Sequence, residues 1–317
     1  MTSVPQTPPR IIAGQGDLKP PLWVEDLLAG AAADPVPVSI ESAQAWTRSG
    51  DGFSLTSVQF SGVEDMDILT FQQSVADAYR TVLEQLRSDH AVRFWAFVPR
   101  IHADYGHGLD RYMAFNAGRF AAFSAWLGGK DAFSRSMPTA SAVGSRTSDF
   151  ALHCLASRWP GQPVENPRQI PAYQYSKRFG PLPPCFARAT LLRRKPFQPD
   201  LLLVGGTASI VGEDSQHPDN VLLQARETFR NLASLVCSAA QGAAGPLPEN
   251  ESDVASWLAQ FREVRAYYRE AQHSLRVRDL VQAAFSAAER IETFPAELCR
   301  PELLVEVEGV ARVPAKS

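Results

Sequence analysis

The same order of helix and strand patterns occurs twice along this chain of 317 residues, and this repetition restricts the fold more than any other feature. In the first half, apolar side chains recur every three or four positions over Leu69–Arg87, which predicts an amphipathic helix. The run Val92–Val98 then predicts a β-strand. A second helix is expected from about Asp110 to the pair Gly128-Gly129, because glycine commonly ends helices.

The second half follows the same scheme. Residues 186–192 and 201–211 predict strands, and Asp219 or Asn220 is expected to cap the helix after them. The remaining expected elements are a helix with its apolar face over Val254–Tyr268, a strand at Ser274–Val277, a helix starting near Asp279 and a last strand at Leu303–Val307.

These patterns predict an α/β protein in two units. The expected boundary lies near residue 150, so that residues 1–150 form an N-terminal unit and residues 151–317 a C-terminal unit. The opening residues, which are rich in Pro, Gly and Thr, are expected to be a loose lead-in. With 45% hydrophobic and 21% charged residues, the chain can bury a sizeable core.

Charge and cysteine usage exclude several classes of protein. Lys plus Arg number 31 and Asp plus Glu 34, a net charge of −3 that argues against binding to nucleic acid or to a membrane surface. The sequence has no apolar run long enough to span a bilayer and no secretory signal at its start. The expected location is therefore the cytoplasm, with the four scattered cysteines reduced.

Searches for common catalytic motifs are negative. The chain lacks the phosphate-binding loop, the dinucleotide-binding glycine motif, the nucleophile elbow and the zinc-hydrolase motif. Its six histidines show no metal-ligand spacing, so no metal site is predicted. These results make an NTPase, a common serine hydrolase and a zinc hydrolase poor candidates.

The last strand carries the most informative pattern. Alternation places Leu303, Val305 and Val307 on one face and Glu306 and Glu308 on the other. If that second face is exposed, the two acids are simply solvated. If it faces a cleft, one carboxyl group in a partly apolar pocket would have a raised pKa and could donate a proton.

Three further features suggest a binding site. The small residues within 205–213 either let a ligand or another backbone approach a strand closely or belong to a tightly packed central strand followed by a turn. The proline-rich segment 158–184 contains aromatic and basic residues, including Tyr175, and is either a functional loop or a linker. Arginines could form internal salt bridges or hold a substrate carboxylate, and the candidates are Arg119, Arg146 and Arg188.

Five blocks, in conserved order and spacing, resemble the chorismatase family over about residues 90–310. They are RFWAFVP (93–99), GLDRYMAFNAGR (108–119), ENPRQIPAYQYSKRFGPLPPCFARAT (165–190), GGTASIVGEDSQH (205–217) and CRPELLVEVEGV (299–310). The resemblance implies two fused Rid-like (YjgF-like) α/β units with mixed sheets packed against helices. It also implies an enzyme that needs no metal or organic cofactor and removes the enolpyruvyl group of chorismate as pyruvate.

By position in the family's motifs, the resemblance makes Glu306 the acid that protonates the enolpyruvyl methylene. It places Arg188, Tyr175, Arg119 and backbone amides near Thr207 around the substrate, with Arg146 a further candidate. Cys299 and Gly212 resemble the members that form 3-hydroxybenzoate, in some cases with 4-hydroxybenzoate. The expected setting is secondary metabolism, with pigment, quinone and polyketide-starter pathways all compatible.

Alternative functions remain open at this stage. A hydrolytic chorismatase would form a dihydroxycyclohexadiene carboxylate instead of a benzoate. The ending also resembles Rid-type imine deaminases, and a protein that binds an aromatic acid without catalysis would keep the same fold. The expected partner is chorismate, a small molecule, and the expected state is a monomer or a weak homo-oligomer.

Overall fold

The computed structural model describes residues 9–14, 18–193 and 200–313, which form two α/β units in succession. Up to residue 157 the elements are β1 (Arg10–Ala13), α1 (Leu22–Leu27), β2 (Asp34–Pro35), β3 (Ala43–Gly50), β4 (Phe53–Phe60), α2 (Ile68–Glu84), β5 (His90–Pro99), β6 (Asp104–Gly106), β7 (Leu109–Asp110), α3 (Arg111–Leu127), α4 (Phe133–Ser136), β8 (Thr139–Ser145) and β9 (Phe150–Ser157). From residue 161 they are β10 (Gly161–Val164), β11 (Ala189–Leu192), β12 (Asp200–Ala208), β13 (Ile210–Val211), β14 (Asp214–Ser215), α5 (Val221–Gln241), α6 (Glu251–Leu258), β15 (Phe261–Tyr268), α7 (Ser274–Ala284), β16 (Arg290–Pro295) and β17 (Val305–Val313).

The two main sheets repeat one topology. The first has the strand order β2-β3-β4-β9-β5-β8 and the second β1-β16-β15-β17-β12-β11-β10. In each unit the closing strand, β9 or β17, lies antiparallel between two earlier strands, and the next pair, β5–β8 or β15–β16, is parallel. The closing strand of each unit is therefore central in its sheet.

The helices begin and end where local chemistry favours it. Asp67 caps α2 by accepting hydrogen bonds from two backbone N–H groups, and Asp110 and Asn220 cap α3 and α5 by accepting one each. Gly128 ends α3 with a positive φ of 74°. The three predicted long helices are confirmed.

The helices cover the outer faces of the sheets, and the inner faces meet each other. Side chains of α2 and α3 pack on the first sheet, and those of α5, α6 and α7 pack on the second. A third apolar cluster joins residues of both sheets, such as Trp95 and Leu155 with Leu203 and Val310. The predicted fold, two fused α/β units with mixed sheets packed against helices, is confirmed.

Two local predictions are wrong. The helix expected over Val254–Tyr268 ends at Leu258, and its second part is the strand β15. Because β15 is a central strand buried on both faces, its apolar residues do not alternate and can imitate helical spacing. The strand expected at Ser274–Val277 is the start of α7, which begins at Ser274 rather than near Asp279.

Apart from β1, the sheets divide the chain between Ser157, the last residue of β9, and Gly161, the first of β10. The predicted boundary near residue 150 falls at the start of β9. Part of the expected loose lead-in forms β1, which pairs with β16 of the second sheet. Residues 1–8 and 15–17 of that lead-in lie outside the described residues.

Candidate functional site

A cavity of about 200 Å³ lies between the two units. Its walls come from α3 and β8 of the first unit, from β12 and β17 of the second, and from two connecting segments around residues 175–188 and 299–302. Concave sites of this kind, with apolar walls and a few polar groups, are typical small-molecule sites. Of the predicted site residues, the cavity brings together Glu306, Cys299, Arg188, Tyr175 and Arg119.

Glu306 enters the cavity because side chains alternate along β17 from Val305 onward. The predicted strand residue Leu303 lies before β17 and packs in the cluster between the sheets instead of with Val305 and Val307. Val305 and Val307 pack in the core beneath the helices, so Glu306 points the other way, towards the first unit. The residue is only 4% exposed, which rules out the solvated-acid interpretation. Among the described residues, no group donates a hydrogen bond to its carboxyl.

The surroundings of Glu306 favour its protonated form. Burial raises the pKa of Glu306 to about 8, and the negative charge of Glu308 acts in the same direction. The positive charges of Arg93 and Arg188 oppose this shift. A pKa near 8 leaves most of this carboxyl group protonated at neutral pH, as a general acid requires.

The small residues of β12 make room for this acid. The register of β12 against β17 shifts between Val204 and Thr207, and Ala208 pairs with Glu306. A Cβ atom added to Gly206 would lie 1.9 Å from Oε1 of Glu306. The absence of a side chain at Gly206 therefore allows the carboxyl group of Glu306 to lie directly against the backbone of β12.

Arg188 lies in the cavity wall just before β11, held by neutral groups. One Nη donates to the hydroxyl of Tyr175 at 2.7 Å and to the carbonyl oxygen of Ile170 at 3.0 Å. Its guanidinium also lies over the ring of Phe186, 5.1 Å from the centroid. Glu165 lies close enough to influence the pKa of Arg188 but forms no ion pair with it in the described structure.

Arg119 reaches the cavity from α3. It donates to Oδ1 of Asn116 at 2.7 Å, and its guanidinium lies 4.9 Å from the ring centroid of Phe115 and 5.5 Å from that of Phe186. Its Nε has no hydrogen-bond acceptor within the described chain. Like Arg188, it is a buried arginine whose hydrogen-bond partners are neutral groups.

Cys299 lines the same cavity, in the turn before β17. Burial, reinforced by the charge of Glu306, raises the pKa of its thiol to about 12. Cys299 is therefore present as a neutral thiol rather than a thiolate. Because Pro301 interrupts the strand pattern, alternation could not predict that Cys299 shares the cavity with Glu306.

Three predicted site residues do not line the cavity. Thr207 is buried and donates its hydroxyl to the carbonyl oxygen of Gly205, while the neighbouring Gly206 faces the cavity. Gly212 has a φ of 60° and binds the segment 168–170 through backbone hydrogen bonds. A Cβ added to Gly212 would meet nothing within 4 Å, so backbone conformation is what favours glycine there. Arg146 lies exposed in the turn after β8.

Sequence reasoning missed Arg300. This residue lines the cavity, is 8% exposed and lies 3.9 Å from the ring centroid of Phe179. Its Nη1 donates to the backbone oxygen of Glu213 at 2.8 Å and to the hydroxyl of Ser215 at 3.0 Å. The available signal was its position beside Cys299 in the last of the five motif blocks.

The described residues lack two further kinds of feature. No group of three or more His, Cys, Asp or Glu side chains in that part of the chain could hold a metal ion. The helices of the described residues include none that is long and apolar enough to cross a membrane.

Known proteins resemble this chain over both units. A family model described as chorismatase FkbO/Hyg5-like, N-terminal, matches residues 32–156. A 3-hydroxybenzoate synthase from Streptomyces hygroscopicus is 33% identical over 246 residues, which cover 76% of this chain and 69% of the relative. A chorismatase from the same organism is 27% identical over 283 residues, covering 88% of this chain and 77% of the relative. The crystal structure of a chorismatase matches with a TM-score of 0.71 and 24% identity over 87% of this chain and 78% of that chain.

Proposed function

Because this chain belongs to the chorismatase family, we propose that it converts chorismate into 3-hydroxybenzoate and pyruvate. The similarity to a 3-hydroxybenzoate synthase supports this choice of product. The observation that carries the proposal is the position of Glu306, a buried acid with a raised pKa in the wall of a cavity that also contains arginines.

The charge of the cavity fits a dianionic substrate. Arg119, Arg188 and Arg300 form no ion pair within the described part of the chain, whereas the buried Arg93 and Arg265 are paired with Glu308 and Glu292. Burying a cation without an opposite charge is unfavourable. The two carboxylates of chorismate would supply that charge, through hydrogen bonds that guanidinium groups form well.

Glu306 would start the reaction by donating its proton to the terminal methylene carbon of the enolpyruvyl group. Carbon is a poor base, so this step needs an acid that is both positioned and protonated. The proton transfer forms a methyl group and an oxocarbenium ion, and it leaves a Glu306 carboxylate beside that cation. The carboxylate stabilises the developing positive charge most effectively in a site that excludes water.

The neighbouring ring hydroxyl would then displace the side chain. Its oxygen bonds to the adjacent ring carbon as the old C–O bond breaks, and the side chain leaves as the ketone of pyruvate. The proton of that hydroxyl can return to Glu306, which restores the acid. The resulting epoxide-like species aromatises to the hydroxybenzoate, and the two products together contain every atom of chorismate.

Incubation of the purified protein with chorismate tests the proposal. We expect pyruvate, measured with a coupled lactate dehydrogenase assay, in a one-to-one ratio with 3-hydroxybenzoate, measured by chromatography. Pyruvate accompanied by a non-aromatic diol would replace the benzoate assignment with the hydrolytic reaction. No pyruvate above the spontaneous rate, from protein shown to be folded by circular dichroism, would contradict the enzymatic proposal altogether.

A further inference from the structure

A second carboxyl group lies two residues from Glu306 on the same face of β17. Glu308 is 1% exposed, but it does not line the cavity. It sits deeper between the two sheets, where strand alternation directs both acids to the same side. No step proposed above makes use of it.

The carboxyl group of Glu308 accepts hydrogen bonds from an unusually complete set of donors. Arg93 donates to it at 2.6 Å, the indole of Trp95 at 3.0 Å and the hydroxyl of Tyr267 at 3.1 Å. Ser141 donates a further short hydrogen bond to the same oxygen that Arg93 contacts. Hydrogen bonds between a guanidinium group and a carboxylate are among the stronger ones in proteins, so these contacts fix the position of the Glu308 side chain.

Ser141 connects the Glu308 carboxyl group to Gly206, the residue against which Glu306 lies. Its hydroxyl oxygen accepts a hydrogen bond from the backbone N–H of Gly206 at 2.8 Å while its hydrogen points to Glu308. Gly206 is the residue against which the Glu306 carboxyl group lies. The chain of contacts from Glu308 through Ser141 to Gly206 thus ends directly beneath Glu306.

The two acids therefore differ in kind. Glu308 has four donors and no contact with the cavity, whereas Glu306 faces the cavity and receives no hydrogen bond from the described residues. Paired carboxyl groups in contrasting environments commonly divide the roles of proton donor and fixed anion. We infer that Glu308 is a positioning residue for Glu306. The negative charge of Glu308 keeps the proton on Glu306, and the hydrogen bond between Glu308 and Ser141 holds the backbone beneath Glu306.

Several groups besides Glu308 influence the pKa of Glu306, and they limit how far removing Glu308 can change it. The charged or titratable groups that face it from the surrounding elements are Arg93 of β5, Tyr112 of α3, Arg188 before β11, Cys299 before β17 and Glu308 of β17 itself. After burial, Glu308 is the largest cause of the raised pKa of Glu306, ahead of the opposing effects of Arg93 and Arg188. Removing the Glu308 charge should therefore lower the pKa of Glu306.

The role inferred for Glu308 rests on the proposed function, but the experiment that tests it does not depend on catalytic activity. The carboxyl carbon of Glu306 can be followed by ¹³C NMR in protein labelled at glutamate, with the signal assigned by its absence in Glu306→Gln. We expect a midpoint near 8 in the unmodified protein and a midpoint lower by about one pH unit or more in Glu308→Gln. In parallel, the pH above which kcat/KM for pyruvate release declines should fall by the same amount.

A matched control separates electrostatics from loss of stability. Glu292 forms an equally buried ion pair with Arg265 at 2.6 Å in the same sheet, away from the cavity. Glu292→Gln should cost comparable stability in urea unfolding but leave the Glu306 midpoint in place. If Glu308→Gln fails to fold, the double variant Arg93→Met/Glu308→Gln removes the unpaired cation and should still lower the midpoint, by less.

An unchanged Glu306 midpoint in either folded Glu308 variant would overturn the inference, as would an equal shift in Glu292→Gln. If the protein released no pyruvate from chorismate, the NMR titration would still decide the relation between the two acids. Failure of the proposed function and failure of this inference are therefore separate results.

Discussion

The closing strands of the two units, β9 and β17, occupy the same place in their sheets and yet carry different polar residues into the interior. β9 places His153 there, and β17 places Glu306. Both side chains are almost fully buried, and burial shifts the pKa of each towards its uncharged form: that of His153 falls to about 4 and that of Glu306 rises to about 8.

The difference lies in their partners. His153 lies 2.8 Å from the backbone oxygen of Leu18 through Nε2 and 2.8 Å from the hydroxyl of Ser57 through Nδ1. Because a carbonyl oxygen only accepts, Nε2 carries the proton and Nδ1 accepts from Ser57. Glu306 has no such partner in the described structure and faces a cavity. Burial together with an unmet hydrogen-bonding capacity distinguishes the functional position from the structural one.

The largest expected effect comes from Glu306→Gln. The amide nitrogen cannot donate a proton to carbon, so we expect the turnover number to fall by about 10²- to 10⁴-fold while the protein stays folded. Steady-state pyruvate release and thermal unfolding measure the two quantities. A variant with a near-normal turnover number would show that Glu306 is not the acid.

The arginines of the cavity provide the next test. Arg188→Met keeps much of the side-chain volume but removes the charge, and we expect KM to rise by about 10- to 100-fold, since hydrogen bonds to charged groups contribute roughly 1.5–3 kcal/mol. Tyr175→Phe, which removes only a neutral partner of Arg188, should raise KM less. An unchanged KM in the Arg188 variant would mean that this guanidinium does not hold the substrate.

His153 should govern stability instead of turnover. Its folded pKa of about 4 lies below the ordinary value of 6.5, so the unfolded chain binds the proton more readily between these values. The free energy of unfolding should thus decrease as the pH falls from about 6.5 to about 4, by up to about 1.4 kcal/mol per pH unit, with no further loss from this group below that range. In His153→Gln, urea unfolding should depend less on pH; an equal dependence would contradict this assignment.

The sequence predicts the fold best where the pattern is local. The helices α2, α3 and α5 follow from apolar spacing and from the capping residues beside it. The strand β15 could not be separated from a helix, because a strand buried on both faces has no alternation. Pairing of β1 with β16 also escaped prediction, since it joins residues at opposite ends of the chain.

The same limit applies to the site. Alternation on β17 correctly places Glu306 and Glu308 on one face, but it does not reveal that Glu308 is bound by Arg93 from the other unit. Arg146 and Arg188 are both candidates in the sequence for holding a substrate carboxylate, and the packing of the two units leaves Arg146 exposed and Arg188 buried. Contacts between the units join side chains that are distant in sequence, so local sequence patterns could not predict them.

Cys299 should have the smallest effect on total turnover and a specific effect on the product. Its thiol is neutral and shares the cavity with Glu306, so it can assist proton movement while the ring rearranges but cannot replace the acid. In Cys299→Ala we expect the ratio of 3-hydroxybenzoate to other products to change more than the rate of pyruvate release. Cys237→Ala, which alters a buried thiol in α5, is the matched control and should leave the product ratio unchanged. Identical product ratios in all three proteins would remove the Cys299 thiol from the mechanism and leave the choice of product to the shape of the cavity.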